Sequence, residues 1–157
     1  MLGKTTGEKT AWELVKELPE ERRPELVVIN PGFIVGPNLN SRRFASGDFI
    51  KMFMMGELKG LGKIQVPFVD VRDVAQAHLN AVLKEDARNK RFILVSKCLW
   101  YSEVANILND EYGKYYPSIP TTVYPCRVHR LASLFSSESA RAVASWEIQQ
   151  TFDTSST

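Results

Sequence analysis

The spacing of apolar residues near the start of the chain is typical of an amphipathic helix. Ala11, Leu14, Val15 and Leu18 recur at intervals of three and four residues, so they share one stripe. The pattern begins close to Met1, before any residues that could cover that stripe. We therefore expect this helix to pack on a later part of the chain or on a partner outside it.

A continuous apolar run follows at Leu26 to Ile29, and most of its residues are β-branched. A run without alternation is typical of a strand covered on both faces, as in a parallel sheet beneath helices. Prolines and glycines then predict an irregular loop at the carboxyl end of this strand, at Pro31, Gly32, Gly36 and Pro37. In open α/β sheets ligands bind at that edge.

Helical and extended patterns alternate through the middle of the chain. We predict a helix over residues 44–55 and a strand over 64–69, at an edge of its sheet because Pro67 cannot donate a ladder hydrogen bond. Asp70 is then expected to cap a further helix. The apolar stripe of that helix is predicted to comprise Val71, Val74, Ala75, His78, Leu79 and Val82.

The remaining pattern predicts a strand over 91–96, a helix that Ser102 caps and Gly113 ends, and a helix over 128–135 before a Ser-rich tail. The alternation of helices and strands is that of an α/β protein. Because two or three strands do not fill a sheet that is covered on both faces, we expect this chain to be part of a larger domain.

Composition and charge argue against several classes of function. A net charge of +2 without any basic run argues against a nucleic-acid partner. Cys98 and Cys126 lack a CxxC spacing, which predicts reduced thiols, and His78 and His129 are isolated, so no metal site is expected. No apolar run approaches the roughly 20 residues that cross a bilayer, which predicts no membrane contact and a cytoplasmic protein.

Three segments of the sequence resemble the second half of an extended short-chain dehydrogenase/reductase: GKTTGEKTAWELVKEL, ELVVINPGFIVGPNLN and VPFVDVRDVAQAHLNAVL. The resemblance covers about residues 3–95 and is strongest to the group of dihydroflavonol reductases, cinnamoyl-CoA reductases and methylglyoxal- or aldehyde-reducing relatives. In that family a Tyr-x-x-x-Lys pair opens the helix. The residues that match the lysine and its continuation are Lys4, Gly7, Glu8, Lys9 and Trp12.

The resemblance implies an α/β fold, the second half of a Rossmann-type, doubly wound parallel sheet plus part of a smaller substrate-binding region. It implies a partial NAD(P)-binding domain over 1–100 and a partial C-terminal substrate-binding region over 101–157. The family tyrosine would fall one residue before Met1, and the family GxxGxxG does not occur in the sequence. The GxG at Gly60 precedes a strand rather than a helix and does not replace it. We therefore expect both ends to be truncated.

The resemblance also implies the roles of site residues. Lys4 would be catalytic and cofactor-binding, because the family lysine holds nicotinamide-ribose hydroxyls and lowers the pKa of the tyrosine. The loop residues implied to lie against the cofactor are Pro31, Gly32 and Ile34, and those that lead towards the substrate are Gly36, Pro37 and Asn38. The cofactor is NADP(H) or NAD(H) in the family, and we expect this chain alone to bind it weakly.

Two charged groups of the sequence have simpler interpretations. Asp70, Arg72 and Asp73 are predicted to be structural, as a helix cap, its partner and a surface ion pair. Arg42 and Arg43 are predicted to be a solvent-facing pair rather than a phosphate site.

The implied reaction is hydride transfer between a nicotinamide and a small carbonyl or alcohol substrate, which reduces an aldehyde or ketone. A nucleotide-sugar epimerase and a hydroxysteroid dehydrogenase of the same superfamily remain alternatives. A different class of function is a non-catalytic interaction protein that uses the same scaffold. Family members can dimerise through the helix that carries the lysine, so residues 4–18 are a candidate contact for a homodimer or a paralogue.

Overall fold

A computed structural model of the chain describes residues 2–39, 44–58, 60–134 and 137–153. The helices are α1 (Leu2–Glu17), α2 (Ala45–Met54), α3 (Val71–Leu83), α4 (Tyr101–Tyr112), α5 (Cys126–Ala132) and α6 (Ser137–Ala144). The strands are β1 (Val28–Pro31), β2 (Phe33–Val35), β3 (Gln65–Asp70), β4 (Arg91–Leu94) and β5 (Lys97–Trp100). None of the helices in these ranges is long and apolar enough to cross a membrane.

The strands form two small sheets. β1 and β4 are parallel, with a register from Val28 opposite Arg91 to Pro31 opposite Leu94. The second sheet has the order β2-β3-β5, in which β2 and β3 are parallel and β3 and β5 are antiparallel. Parallel strands joined through helices confirm the predicted α/β class.

Two apolar clusters form the core. One lies between α2, α4 and the three-stranded sheet, and its buried members are Phe53, Leu58, Leu61, Phe68, Val104, Ala105 and Ile119. The other joins both sheets to α3, through Val69 of β3, Leu94 of β4 and Val74 of α3, with Ile29 of β1 and Ile34 of β2 packed against them. The second cluster therefore fixes the position of the two-stranded sheet relative to the three-stranded one.

The prediction of an irregular loop after the first strand is wrong in part. β1 begins two residues later than the apolar run, and the three residues from Phe33 to Val35 form β2. Because Phe, Ile and Val all favour extended structure, they pair with β3 once β3 lies beside them. In this part of the chain, only Gly32, between the two strands, and the residues from Gly36 to Leu39 lie outside strands.

The prediction that β3 is an edge strand is wrong, because it lies between β2 and β5. The sheet tolerates Pro67 because the β2 ladder begins one residue later, with Phe33 opposite Phe68. Pro67 therefore pairs with β5 alone, where it lies opposite Cys98.

The buried face of α3 differs from the predicted stripe. Val74 is buried, but Leu79 is 50% exposed and Val82 is 83% exposed. The sheet contacts α3 through smaller side chains, including Ala77, which packs on the second cluster. His78 is exposed, although its Nδ1 lies 2.8 Å from the Val74 carbonyl oxygen. Apolar spacing identified the helix but not the face that the β-sheet covers.

The last third contains more regular structure than predicted. β5 lies in residues 97–100, for which no element was predicted, and α6 lies in the segment that was expected to be a Ser-rich tail. α5 begins two residues before the predicted helix. The start of α4 is held by Glu103, whose Oε2 accepts the Trp100 N–H at 2.7 Å, rather than by Ser102. These elements form because tertiary partners cover them, which local spacing does not report.

Candidate functional site

The carboxyl end of β1 is held tightly between the two sheets. The Gly32 N–H donates to the Leu94 carbonyl oxygen at 2.9 Å. A Cβ atom at Gly32 would lie 2.6 Å from the Pro67 carbonyl oxygen, which no side chain tolerates without movement of the backbone. Gly32 is therefore required by the close approach of the loop to β3, and Pro31 beside it remains exposed.

The loop then passes the beginning of α3. Gly36 has φ +127°, a conformation that favours glycine, and a Cβ atom there would lie 3.2 Å from Asp70 Oδ1. Pro37 and Asn38 follow on the exposed surface. Ile34 differs from its neighbours, because its side chain packs on the second cluster and its backbone lies opposite Val69 in the ladder with β3. These residues thus bring the loop, the end of β1 and the first turn of α3 together.

Lys4 lies in the first turns of α1, and its side chain is exposed. Glu8 follows after four residues and therefore lies on the same face of the helix. The Glu8 carboxylate accepts a hydrogen bond from Asn30 Nδ2 at 3.2 Å, one residue before Pro31. The face of α1 that carries Lys4 is thus turned towards the end of β1.

The contacts of Glu8 were not predicted from the sequence. Its Oε1 also accepts a hydrogen bond from Arg91 Nε at 2.6 Å, so the carboxylate joins α1 to both β1 and β4. Partial burial acts to raise the pKa of Glu8, but the hydrogen bonds from Arg91, Asn30 and Trp12 and the Arg91 charge outweigh it and hold the pKa below its ordinary value. The four-residue spacing from Lys4 to Glu8 to Trp12 is the sequence signal that indicates a common face.

Asp70 caps α3 as predicted. Its Oδ1 accepts the Arg72 N–H at 2.8 Å, and its two carboxylate oxygens accept from Arg72 Nε and Nη2 at 2.9 and 2.7 Å. The Arg72 guanidinium and backbone N–H hold the pKa of Asp70 at about 2. Asp70 is therefore ionised at neutral pH and acts as a structural cap rather than as a proton donor.

Two other reactive side chains, those of Cys98 and His129, are partly or fully buried. Burial raises the pKa of the Cys98 thiol, which disfavours a thiolate nucleophile. His129 is buried between α5 and α6, where its ring lies 5.4 Å from that of Trp146. Across the described ranges, no group of three His, Cys, Asp or Glu side chains could hold a metal ion. Arg42 and Arg43 lie outside the described residues.

The glycines at positions 60 and 62 do not form an open phosphate cradle. A Cβ atom at Gly60 would overlap the ring of Tyr124, and Leu61 between the two glycines is fully buried. The Leu61 N–H donates to the Thr122 carbonyl oxygen at 2.9 Å rather than facing solvent. This GxG therefore does not fit the pyrophosphate of a dinucleotide.

Comparisons with individual known proteins give matches, although the comparison with protein-family models does not. No protein-family model matches the sequence. Cinnamoyl-CoA reductase 2 of Arabidopsis thaliana is 35% identical over 118 residues, which are 75% of this chain and 33% of that protein. The NADPH-dependent methylglyoxal reductase GRE2 of Saccharomyces cerevisiae is 28% identical over 123 residues, which are 74% of this chain and 36% of that protein.

Solved structures show the same likeness. The yeast methylglyoxal/isovaleraldehyde reductase Gre2 complexed with NADPH superposes with a TM-score of 0.63 and 28% identity, over 73% of this chain and 38% of that one. Vestitone reductase from alfalfa shares the fold, with a TM-score of 0.56 and 17% identity over 94% of this chain and 45% of that one.

The chain spans about one third of the length of the curated relatives that it matches. The matches fall in the same group that the lysine helix, the NPGFIVGP loop and the VPFVDVRDVAQAH segment indicate. Over about three quarters of this chain, its homologues are therefore cinnamoyl-CoA reductases, Gre2 and other reductases of the short-chain dehydrogenase/reductase family, which confirms the resemblance that the sequence indicates.

Proposed function

We propose that this chain forms the nicotinamide and substrate side of an NADP(H)-dependent reductase that converts an aldehyde or ketone to an alcohol. The observation that carries the proposal is the contact of Glu8 with Asn30, because it brings the helix of Lys4 to the loop that begins at Pro31. The homology to NADPH-dependent methylglyoxal reductase and to cinnamoyl-CoA reductases supports the reaction class.

In this proposal the bound nicotinamide supplies or accepts the hydride, and the residues of the chain bind and orient. The Lys4 ammonium donates hydrogen bonds to ribose hydroxyls and stabilises the ionised form of the family tyrosine by its charge. The backbone from Pro31 to Ile34 would lie against the carboxamide, and Gly32 lets this segment approach β3 closely because it carries no side chain. Gly36, Pro37 and Asn38 line the approach of the substrate.

The same proposal assigns two parts of the chain to different regions of the reductase. Residues 1–100 would belong to the cofactor-binding domain and residues 101–157 to the substrate-binding region. Because the GxG of the chain is packed against Tyr124, the pyrophosphate of the dinucleotide would be bound by a glycine-rich turn outside these 157 residues.

A fusion protein tests the proposed function directly. The amino-terminal part of a family relative, ending at its motif tyrosine, is joined to Met1, so that three residues separate that tyrosine from Lys4. We expect the fusion to oxidise NADPH when methylglyoxal or an aromatic aldehyde is added. The matched control carries phenylalanine in place of that tyrosine and should lose about 10²- to 10⁴-fold in turnover. A folded fusion that binds NADPH but reduces no carbonyl compound would contradict the proposal.

We also propose that α1 forms the contact with a second copy or a paralogue. Leu14 is 57% exposed and Leu18 is 40% exposed, so much of the apolar stripe of α1 faces outward in the single chain. We expect the chain to self-associate in sedimentation equilibrium, and Leu14→Glu to shift it to the monomer. Leu131→Glu, at a 69% exposed leucine of α5, is the control and should leave association unchanged. A monomeric wild type, or dissociation by the control instead, would refute the contact.

A further inference from the structure

The proposed function uses the Glu8 carboxylate only as a sign that α1 lies near β1, and it gives Glu8 no role of its own. It lies between α1 and the two-stranded sheet with only 19% of its side chain exposed. Two strands contact it, through Arg91 at the beginning of β4 and Asn30 near the end of β1. Loss of this carboxylate would release both contacts together.

The contacts of Glu8 place it near the carboxyl end of β1. Asn30, which donates to its carboxylate, directly precedes Pro31, the last residue of β1. Lys4 precedes Glu8 by about 6 Å of helical rise and therefore lies on the same face of α1.

Apolar packing does little to hold this end of the helix. The larger aliphatic residues of its stripe, Leu14 and Leu18, lie in and after its last turn and are substantially exposed. In the first two turns, Glu8 is the residue whose side chain bonds to the sheet in the described structure. The orientation of the first turns thus depends on one carboxylate and its two partners.

We propose that Glu8 is a positioning residue, which fixes the first turns of α1 and with them the Lys4 ammonium over the end of β1. The anchoring of α1 follows from the contacts themselves, and its catalytic consequence rests on the proposed role of Lys4. The negative charge of Glu8 matters, because its partner Arg91 is a cation and the contact is 2.6 Å long.

The lowered pKa of Glu8 determines how its anchoring of α1 depends on pH. Since the pKa in the folded chain lies below the unfolded value, the stabilisation by the ionised carboxylate is fully present above the ordinary pKa of a glutamate. This stabilisation is lost as the pH falls through the lowered pKa, when the carboxylate gains a proton. The anchoring of α1 should therefore weaken in acid, and a variant with a neutral residue at this position should show no such step.

Hydrogen exchange of the full 157-residue chain tests the anchoring. We expect Glu8→Gln to accelerate exchange of the α1 amides about tenfold, because it removes charge from a hydrogen-bonded pair, while α3 exchanges as in the wild type. Glu13→Gln, at an exposed glutamate of the same helix, is the control and should change neither element. Arg91→Lys breaks the contact from the other side and should accelerate α1 as well. Unchanged α1 exchange in both Glu8→Gln and Arg91→Lys would overturn the proposal.

A pH titration separates positioning by charge from simple packing. Trp12 also contacts Glu8, so tryptophan emission should change as the carboxylate is protonated. The step should occur in the wild type and in Glu13→Gln, with a midpoint below the ordinary glutamate pKa, and should be absent from Glu8→Gln. The same step in Glu8→Gln would overturn the assignment to Glu8.

The fusion protein separates this inference from the proposed function. We expect Glu8→Gln to lower kcat of the active fusion about tenfold, with KM for the carbonyl substrate within about twofold. An inactive wild-type fusion would count against the proposed reductase and leave the exchange result to decide the anchoring. If the fusion is active and Glu8→Gln and Glu13→Gln have the same kcat, the positioning of Lys4 is overturned. The anchoring of α1 is then decided by hydrogen exchange.

Discussion

The 157-residue chain by itself is expected to bind NADPH weakly, without saturation at micromolar concentrations, and to reduce no aldehyde measurably. Most of the binding energy of a dinucleotide comes from its pyrophosphate, which rests on a helix N-terminus behind a glycine-rich turn. The GxG of this chain is closed by Tyr124 and does not supply that turn. The Tyr-x-x-x-Lys spacing of the family would put the proton donor one residue before Met1, outside the 157 residues used in this test.

Fluorescence titration with NADPH, followed by an assay of NADPH consumption with aliphatic and aromatic aldehydes, measures this result. The fusion described above is the matched positive control, because it restores the turn and the tyrosine around an unchanged chain. Micromolar binding by the isolated chain would contradict the expectation. It would mean that the loop from Pro31 to Asn38 and Lys4 form a cofactor site of their own.

Replacement of Lys4 by alanine in the active fusion should lower kcat by about 10²-fold or more. The ammonium group acts on the tyrosine through its charge and on the ribose through its hydrogen bonds. Its loss should therefore impair both proton transfer and the positioning of the cofactor. KM for NADPH should rise as well. Because Lys4 is exposed on α1, the melting temperature should remain close to that of the unchanged fusion.

Arg72→Ala is the comparison that separates chemistry from structure. It removes the pair of hydrogen bonds that Arg72 donates to the Asp70 carboxylate at the start of α3. We expect it to change stability more than turnover, with kcat within about twofold of the unchanged fusion. Lys9→Ala, also at an exposed lysine of α1, controls for loss of charge on the helix. Equal kinetic and stability losses in Lys4→Ala and Arg72→Ala would show that Lys4 has no special role.

The sequence by itself determined the features that depend on neighbouring residues. Asp70 caps α3 because a carboxylate directly before a helix accepts its free N–H groups, whatever surrounds it. The run before Pro31 is extended, and the spacing from Lys4 to Trp12 is helical, for reasons that lie within each segment. The α/β class and the family could therefore be predicted, although the roles of Lys4 and the loop stay predictions.

The tertiary structure decided the features that depend on residues distant in the chain. β2 exists because Phe33 to Val35 meet β3, and Pro67 is tolerated in a central strand because the β2 ladder begins one residue after it. Leu79 and Val82 are exposed because α3 packs on the sheet with a different face, on which the small side chain of Ala77 allows a close approach. The role of Glu8 became visible only when Arg91, 83 positions later, was brought beside it. No local spacing in the sequence could predict this hydrogen bond, because only the fold sets the distance between residues that are so far apart in the chain.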